Sequence, residues 1–132
     1  MIKYAVDFAT SAIEGHGVFA FTKIPRRAKI GEVTGDIISL REARRRARGR
    51  RRIYVIDVSD THALDCEKGN LLRHLNHSCG PNAFLRIYRN RVEVYAIRDI
   101  KNGEEITVDY GETPHGGGMK CACGHDRCRS II

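Results

Sequence analysis

The feature that most constrains this chain is the shortness of its apolar blocks. Val, Ile, Leu and aromatic residues recur in strand-length runs, and nearly every run is closed by Gly, Pro, Asn or Asp. Residues 53–58, Ile-Tyr-Val-Ile-Asp-Val, form the best strand candidate, being β-branched and aromatic. Residues 84–88 and 92–97 flank Arg89-Asn90-Arg91 and predict a β-hairpin. Residues 4–6, 17–21, 30–33, 63–65 and 105–110 supply further short blocks, while residues 10–17 and 76–82 are polar and turn-like. The expected class is mainly β, with many short strands and little helix. No run approaches the ~18–20 apolar residues of a membrane span, so no membrane partner is expected.

One helix stands out. Ser39-Leu40-Arg41-Glu42 has the capping-box pattern, a hydroxyl at the N-cap and a glutamate three residues on. It predicts a helix over residues 40–48, with Gly49 placed to end it. Leu40, Ala43 and Ala47 form a thin apolar stripe and the rest of the surface is arginine, so light packing and wide exposure are expected. Residues 69–75 suggest a single further helical turn.

Those arginines also explain the charge. The 132 residues carry a formal net charge of +7, and residues 41–52 contain eight arginines and one glutamate. The remaining 15 basic and 15 acidic side chains cancel. The chain is a neutral domain with one basic segment, unlike a uniformly basic nucleic-acid binder. Its length suits one domain with a single core. A two-domain nucleotide enzyme and a disulfide mini-protein are excluded. The N-terminal residues lack a charged start followed by an apolar stretch, so no secretory signal is expected.

Three of the five cysteines crowd together at Cys121, Cys123 and Cys128. Without an export signal, such a cluster reads as metal ligation before it reads as a disulfide framework. Zinc takes four tetrahedral ligands, so the cluster is one short, and Cys79, Cys66, His115 and His125 are candidates for the fourth. Three unligated thiols in a tail are the plainer reading.

Three other segments carry chemistry. Residues 73–82 read Arg-His-Leu-Asn-His-Ser-Cys-Gly-Pro-Asn, which suggests a loop held by its own hydrogen bonds. Residues 104–111 read Glu-Glu-Ile-Thr-Val-Asp-Tyr-Gly; in a strand, Ile106, Val108 and Tyr110 share one face. Gly15-His16-Gly17 enters a strand and lets backbone approach a ligand closely, though it lacks a dinucleotide or P-loop spacing.

Taken in order, these segments resemble the SET-domain protein lysine methyltransferases. The resemblance runs through Gly15-His16-Gly17-Val18-Phe19-Ala20, Gly31-Glu32, Tyr54-Val55-Ile56-Asp57, Asp65, Gly69-Asn70 and Arg73. It continues through Asn76-His77-Ser78-Cys79, Pro81-Asn82, Gly103-Glu104-Glu105-Ile106 and Asp109-Tyr110-Gly111 to the Cys-x-Cys-x4-Cys tail called post-SET. It spans about residues 2 to 130. His74 and Val108 stand where many relatives carry aromatics, which leaves product specificity open.

The resemblance implies a SET-domain fold of several small sheets over residues 1–112, with a C-terminal pseudoknot and few short helices, and a post-SET zinc-binding tail over 113–132. It implies an enzyme, a protein-lysine N-methyltransferase using S-adenosylmethionine, acting on a histone or another basic chromatin-associated protein. By motif, His16, Gly17, Asn76, His77, Tyr110, Ala122 and Gly124 would contact the cofactor. Tyr110 and Tyr54 would be the catalytic pair, and Tyr54, Val108 and Tyr110 would line the lysine channel. Cys79, Cys121, Cys123 and Cys128 would bind zinc, leaving Cys66 a buried thiol. The expected setting is intracellular, cytoplasmic in a prokaryote or virus and nuclear in a eukaryote. The rival expectation is a non-catalytic, zinc-stabilised module that binds DNA or another polyanion, or a protein partner, through residues 41–52. A metal or redox sensor would leave Asn76-His77 and Asp109-Tyr110 unexplained.

Overall fold

A computed structural model describes residues 2–13, 15–50 and 54–109. Tyr110, Ala122, Gly124, Cys121, Cys123 and Cys128 lie outside the described residues, as do the pseudoknot, the zinc tail and the boundary at residue 112. The described chain is mainly β. Its first half holds β1 (Val6–Thr10), β2 (His16–Ala20), β3 (Lys29–Val33), β4 (Asp36–Ser39) and α1 (Leu40–Ala47). Then come β5 (Val55–Asp57), β6 (His62–Asp65) and a 3-10 turn over Leu71–His74. The last strands are β7 (Asn76–His77), β8 (Ala83–Tyr88), β9 (Arg91–Ala96) and β10 (Glu105–Val108).

These strands make three small sheets, ordered β1-β2-β10-β7, β3-β9-β8 and β4-β6-β5. The β8–β9 hairpin shows why its sequence was legible. Leu85 faces Val94 and Ala83 faces Ala96 on the core side, while Phe84–Tyr95 and Arg86–Glu93 pair on the outer side. Its two-residue turn, Arg89-Asn90, holds both residues at positive φ, 49° and 63°, the twist that lets a tight hairpin close. Val18, Ile24, Ile30, Val94, Ile100 and Ile106 are fully buried where the sheets meet. Each such side chain contributes about 1.5–3 kcal/mol by leaving water.

Two strands were not expected. β4 follows directly on β3 and pairs with β6 across four residues, Asp36 with Asp65 through Ser39 with His62. β7 consists of polar Asn76-His77, read from sequence as part of a turn, yet it pairs in parallel with Thr107-Val108 of β10. β1 also extends to Thr10, into the segment expected to be loop.

The helix keeps its expected start. Ser39 accepts a hydrogen bond from the Glu42 amide at 3.1 Å, and Gly49 sits at φ +80° just past the end. The helix is widely exposed as expected, at Arg41, Arg44, Arg45 and Arg48, but the arginine segment also carries ion pairs that the sequence did not reveal. The Glu42 carboxylate accepts from Arg45 and Arg46. Arg46 reaches onward to Asp65 at 3.0 Å, and Arg50 binds both Asp65 oxygens at 3.2 and 3.1 Å. Asp65 is buried, so two of the arginines clamp the helix and its exit to the C-terminal end of β6.

Candidate active site

The site forms where the first sheet changes character. β10 runs antiparallel to β2 on one side and parallel to β7 on the other. That arrangement brings Asn76-His77 alongside His16-Gly17, although some 60 residues separate them in sequence. Asn76 is 6% exposed, and its side-chain nitrogen donates to the His16 carbonyl at 3.2 Å and to Glu105 Oε2 at 3.0 Å. Ser11 donates its hydroxyl to the same carboxylate at 2.8 Å. Both amide hydrogens of Asn76 are thus engaged, which fixes the orientation of its side chain.

Gly17 leaves the room that this packing uses. A Cβ built there would stand 2.2 Å from Glu105 Oε2 and 3.0 Å from Asn76 Nδ2, so any side chain must push the carboxylate off its partners. His77 is buried beside Asn76. Its Nε2 lies 3.3 Å from Cys79 Sγ and its Nδ1 lies 3.6 Å from Asp109 Oδ1. The loop after it is fixed by Asn82, which is 3% exposed and donates to the Glu105 carbonyl at 2.7 Å while accepting from the Thr107 amide at 2.9 Å.

An aromatic group borders the polar cluster. His74, at the end of the 3-10 turn, packs against Phe8 (5.7 Å between ring centroids), His16 (6.3 Å) and, edge-on, Tyr54 (6.0 Å). Phe8 meets His16 edge-on at 5.6 Å. Phe8 is half exposed, so the group has an open side. Asn70 and Arg73 serve the turn beneath. The Asn70 side chain accepts from the Leu72 amide and donates to the Glu32 carbonyl, and Arg73 donates to the Gly69 carbonyl at 2.7 Å.

His16, Gly17, Asn76 and His77 therefore come together, with Tyr54 at the far side of the His74 ring. Val108 pairs with His77, and its side chain is 1% exposed among the buried core residues. Of the expected zinc ligands only Cys79 is described, and among the described residues no three Cys, His, Asp or Glu side chains converge as a metal site. Cys66 is a buried thiol outside any disulfide; it donates to the Tyr54 carbonyl, and burial pushes its pKa up to about 12, which keeps it protonated and inert. Sequence reasoning missed Ser11, Phe8 and the role of Glu105. Glu105 was visible as part of Gly-Glu-Glu-Ile, but nothing local marks which of two adjacent glutamates turns inward.

Comparison with known proteins agrees with this geometry. The SET domain family matches residues 15–111. A histone-lysine N-methyltransferase of Schizosaccharomyces pombe, named as H3 lysine-4 specific, is 34% identical over 140 residues, covering 98% of this chain and 15% of that protein. The Saccharomyces cerevisiae protein of the same name is 32% identical over 143 residues, with 98% and 13% covered. A chain in the crystal structure of an active polycomb repressive complex 2 in the basal state superposes with a TM-score of 0.76 at 32% identity, covering 83% of this chain and 15% of that one. The chain thus corresponds to a small part of each of these larger relatives. It belongs to the SET-domain family.

Proposed function

We propose that this chain transfers the methyl group of S-adenosylmethionine to the side-chain amine of a protein lysine. The observation that carries the reading is the join of β7 to β10, which sets Asn76-His77 in place and ties Asn76 to the His16 carbonyl beside an open aromatic group. The residues present suit the cofactor. Asn76, buried and fixed in orientation, would hold the cofactor's amino-acid end, and Gly17 keeps the strand entrance free of side chain. His77 would hold the adenine end, while Ala122 and Gly124 would border the cofactor from the tail. When bound, S-adenosylmethionine supplies a methyl group on a cationic sulfur.

The chain's own task is alignment and charge control. In-line transfer needs amine, methyl and sulfur held on one axis, which is where most of the barrier reduction lies. The lysine must be neutral, and removing its proton at pH 7 costs about 4–5 kcal/mol from a pKa of ~10.4. A neighbouring positive charge and an apolar wall both favour the neutral amine, so no dedicated base is needed. Tyr110, which follows directly on Asp109, would line the channel with its hydroxyl near the transferring methyl, and Tyr54 would form another wall beside His74. Zinc on Cys79, Cys121, Cys123 and Cys128 would tie the tail over the site.

The relatives named for histone H3 lysine 4 favour a histone or similar basic protein as substrate, and hence a nuclear setting if the host is eukaryotic. The test is transfer of labelled methyl onto histones and whole-cell proteins, with calorimetry of cofactor binding alongside. Tyr110→Phe should lose turnover with little loss of cofactor affinity, whereas Asn76→Ala should lose affinity outright. A chain that binds no S-adenosylmethionine is a non-catalytic module, and the proposal fails.

A further inference from the structure

The arginines of α1 and of the exit that follows it divide into two sets. Arg46 and Arg50 are turned inward onto Asp36, Asp65 and Glu67, and Arg46 also binds Glu42. Arg41, Arg44 and Arg48 are exposed and make no ion pair among the described residues. They follow at spacings of three and four, so they stand in one row along the outer face of the helix, with Arg48 at its C-cap. Arg45, 69% exposed, flanks the row while bound to Glu42.

We propose that this outer face is a binding surface for the phosphodiester backbone of duplex nucleic acid. Seven residues of helix rise carry the row about 10 Å, against roughly 3.4 Å of duplex axis between successive phosphates of one strand, so three guanidinium groups can engage separate phosphates. Arginine forks bind phosphate oxygens in pairs, which lysines do not. The face carries no uncompensated carboxylate, since Glu42 is spent on Arg45 and Arg46. Single-strand binding would call for aromatic stacking platforms, and α1 has none. Contacts of this kind position a protein on a duplex without reading its sequence.

The inner arginines make the outer row usable. An eight-residue helix is not stable alone. The Ser39 cap and the Arg46–Asp65 and Arg50–Asp65 bonds hold this one against β6, so the outer row is presented from a fixed support. The surface is separate from the lysine-transfer reading and would concentrate the enzyme where polyanion-bound basic proteins are found.

The test titrates the full chain with random-sequence duplex DNA by fluorescence anisotropy across a salt series. Two triple variants are compared, Arg41→Ala/Arg44→Ala/Arg48→Ala and Arg86→Ala/Arg89→Ala/Arg91→Ala. The second removes the same charge from the exposed β8–β9 hairpin. Circular dichroism checks that both remain folded. The helix variant should flatten the slope of log affinity against log salt by about 2.7, so that a fourfold rise in salt costs the parent roughly 40-fold more affinity than the variant. The hairpin variant should keep nearly the parental slope. Equal losses in both variants would reduce the effect to net charge and overturn the proposal. So would tighter binding of single-stranded DNA, tighter binding of polyglutamate, or no binding of duplex at low salt.

Discussion

Replacing Asp65 with asparagine should destabilise the fold by about 3 kcal/mol, far more than any other single change to a surface-derived ion pair here. The Asp65 side chain is 4% exposed, while Arg46 and Arg50 keep 30% and 18% of theirs. At an effective dielectric near 20 and ~4 Å between charges, each guanidinium attracts the carboxylate by roughly 4 kcal/mol, and desolvation takes back several kcal/mol per buried ion. Breaking such a group from one side typically costs ~3–5 kcal/mol, and the residual solvent around both arginines argues for the low end. Burial by itself would raise the Asp65 carboxyl, but hydrogen bonds from Arg50 and Arg46 outweigh it and hold it below the ordinary carboxylate value. A depressed folded-state pKa means that this stability is present above the unfolded value of ~3.9 and is lost as pH falls through the folded one. Urea titration at neutral pH reads the loss as a lower midpoint with unchanged slope. Arg50→Met added to Asp65→Asn should cost less than the two single losses together, because the charges leave as a pair. A loss under about 1 kcal/mol for Asp65→Asn, or strict additivity with Arg50→Met, would refute the clamp.

Gly17→Ala should weaken cofactor affinity at least tenfold with only modest loss of stability, because its Cβ displaces the Glu105 carboxylate from Asn76; calorimetry showing parental affinity would remove Glu105 from the positioning of Asn76. One zinc per chain is expected, and chelation should weaken cofactor binding while most of the strand signal in circular dichroism survives; protein purified without chelator and containing no zinc would defeat this. Val108→Tyr separates two roles for a fully buried position. Overpacking should cost about 1–3 kcal/mol if the side chain serves only the core, whereas a stable variant whose products, read by mass spectrometry, carry fewer methyl groups would show that the position faces the lysine channel.

The fold was legible wherever local chemistry and tertiary packing ask for the same thing. The β8–β9 hairpin alternates apolar and polar residues around a turn that suits its twist, and α1 announces itself by Ser39 and Glu42. The strands that escaped notice lack that agreement. Asp36-Ile37-Ile38-Ser39 is four residues long, wedged between a turn and a helix, and becomes a strand because β6 supplies its partner. Asn76-His77 has the composition of a turn, and only the parallel pairing with Thr107-Val108 makes it extended. Hydrogen bonds across 31 residues of sequence distance leave no local periodicity to read.

The same division explains what could be read of the site. Asn76 and His77 were identifiable by resemblance, but the partners that orient Asn76 were not, since Ser11 and His16 come from the β1–β2 hairpin and Glu105 from β10, which meet only in the folded sheet. The arginine run shows the opposite difficulty. Eight arginines in twelve residues look in sequence like one electrostatic feature. Helical geometry splits them, because Arg46 lies roughly 100° or more around the axis from the row of Arg41, Arg44 and Arg48, on the side facing the sheet. There the buried Asp65 binds it and draws in Arg50 as well. Net charge therefore overstates the charge available to a partner. Guanidinium groups already neutralised by buried or half-buried carboxylates cannot also bind phosphate without giving up the contacts that keep the helix in place. What remains for a ligand is the outer row, and its usefulness depends on the inner pair staying where it is.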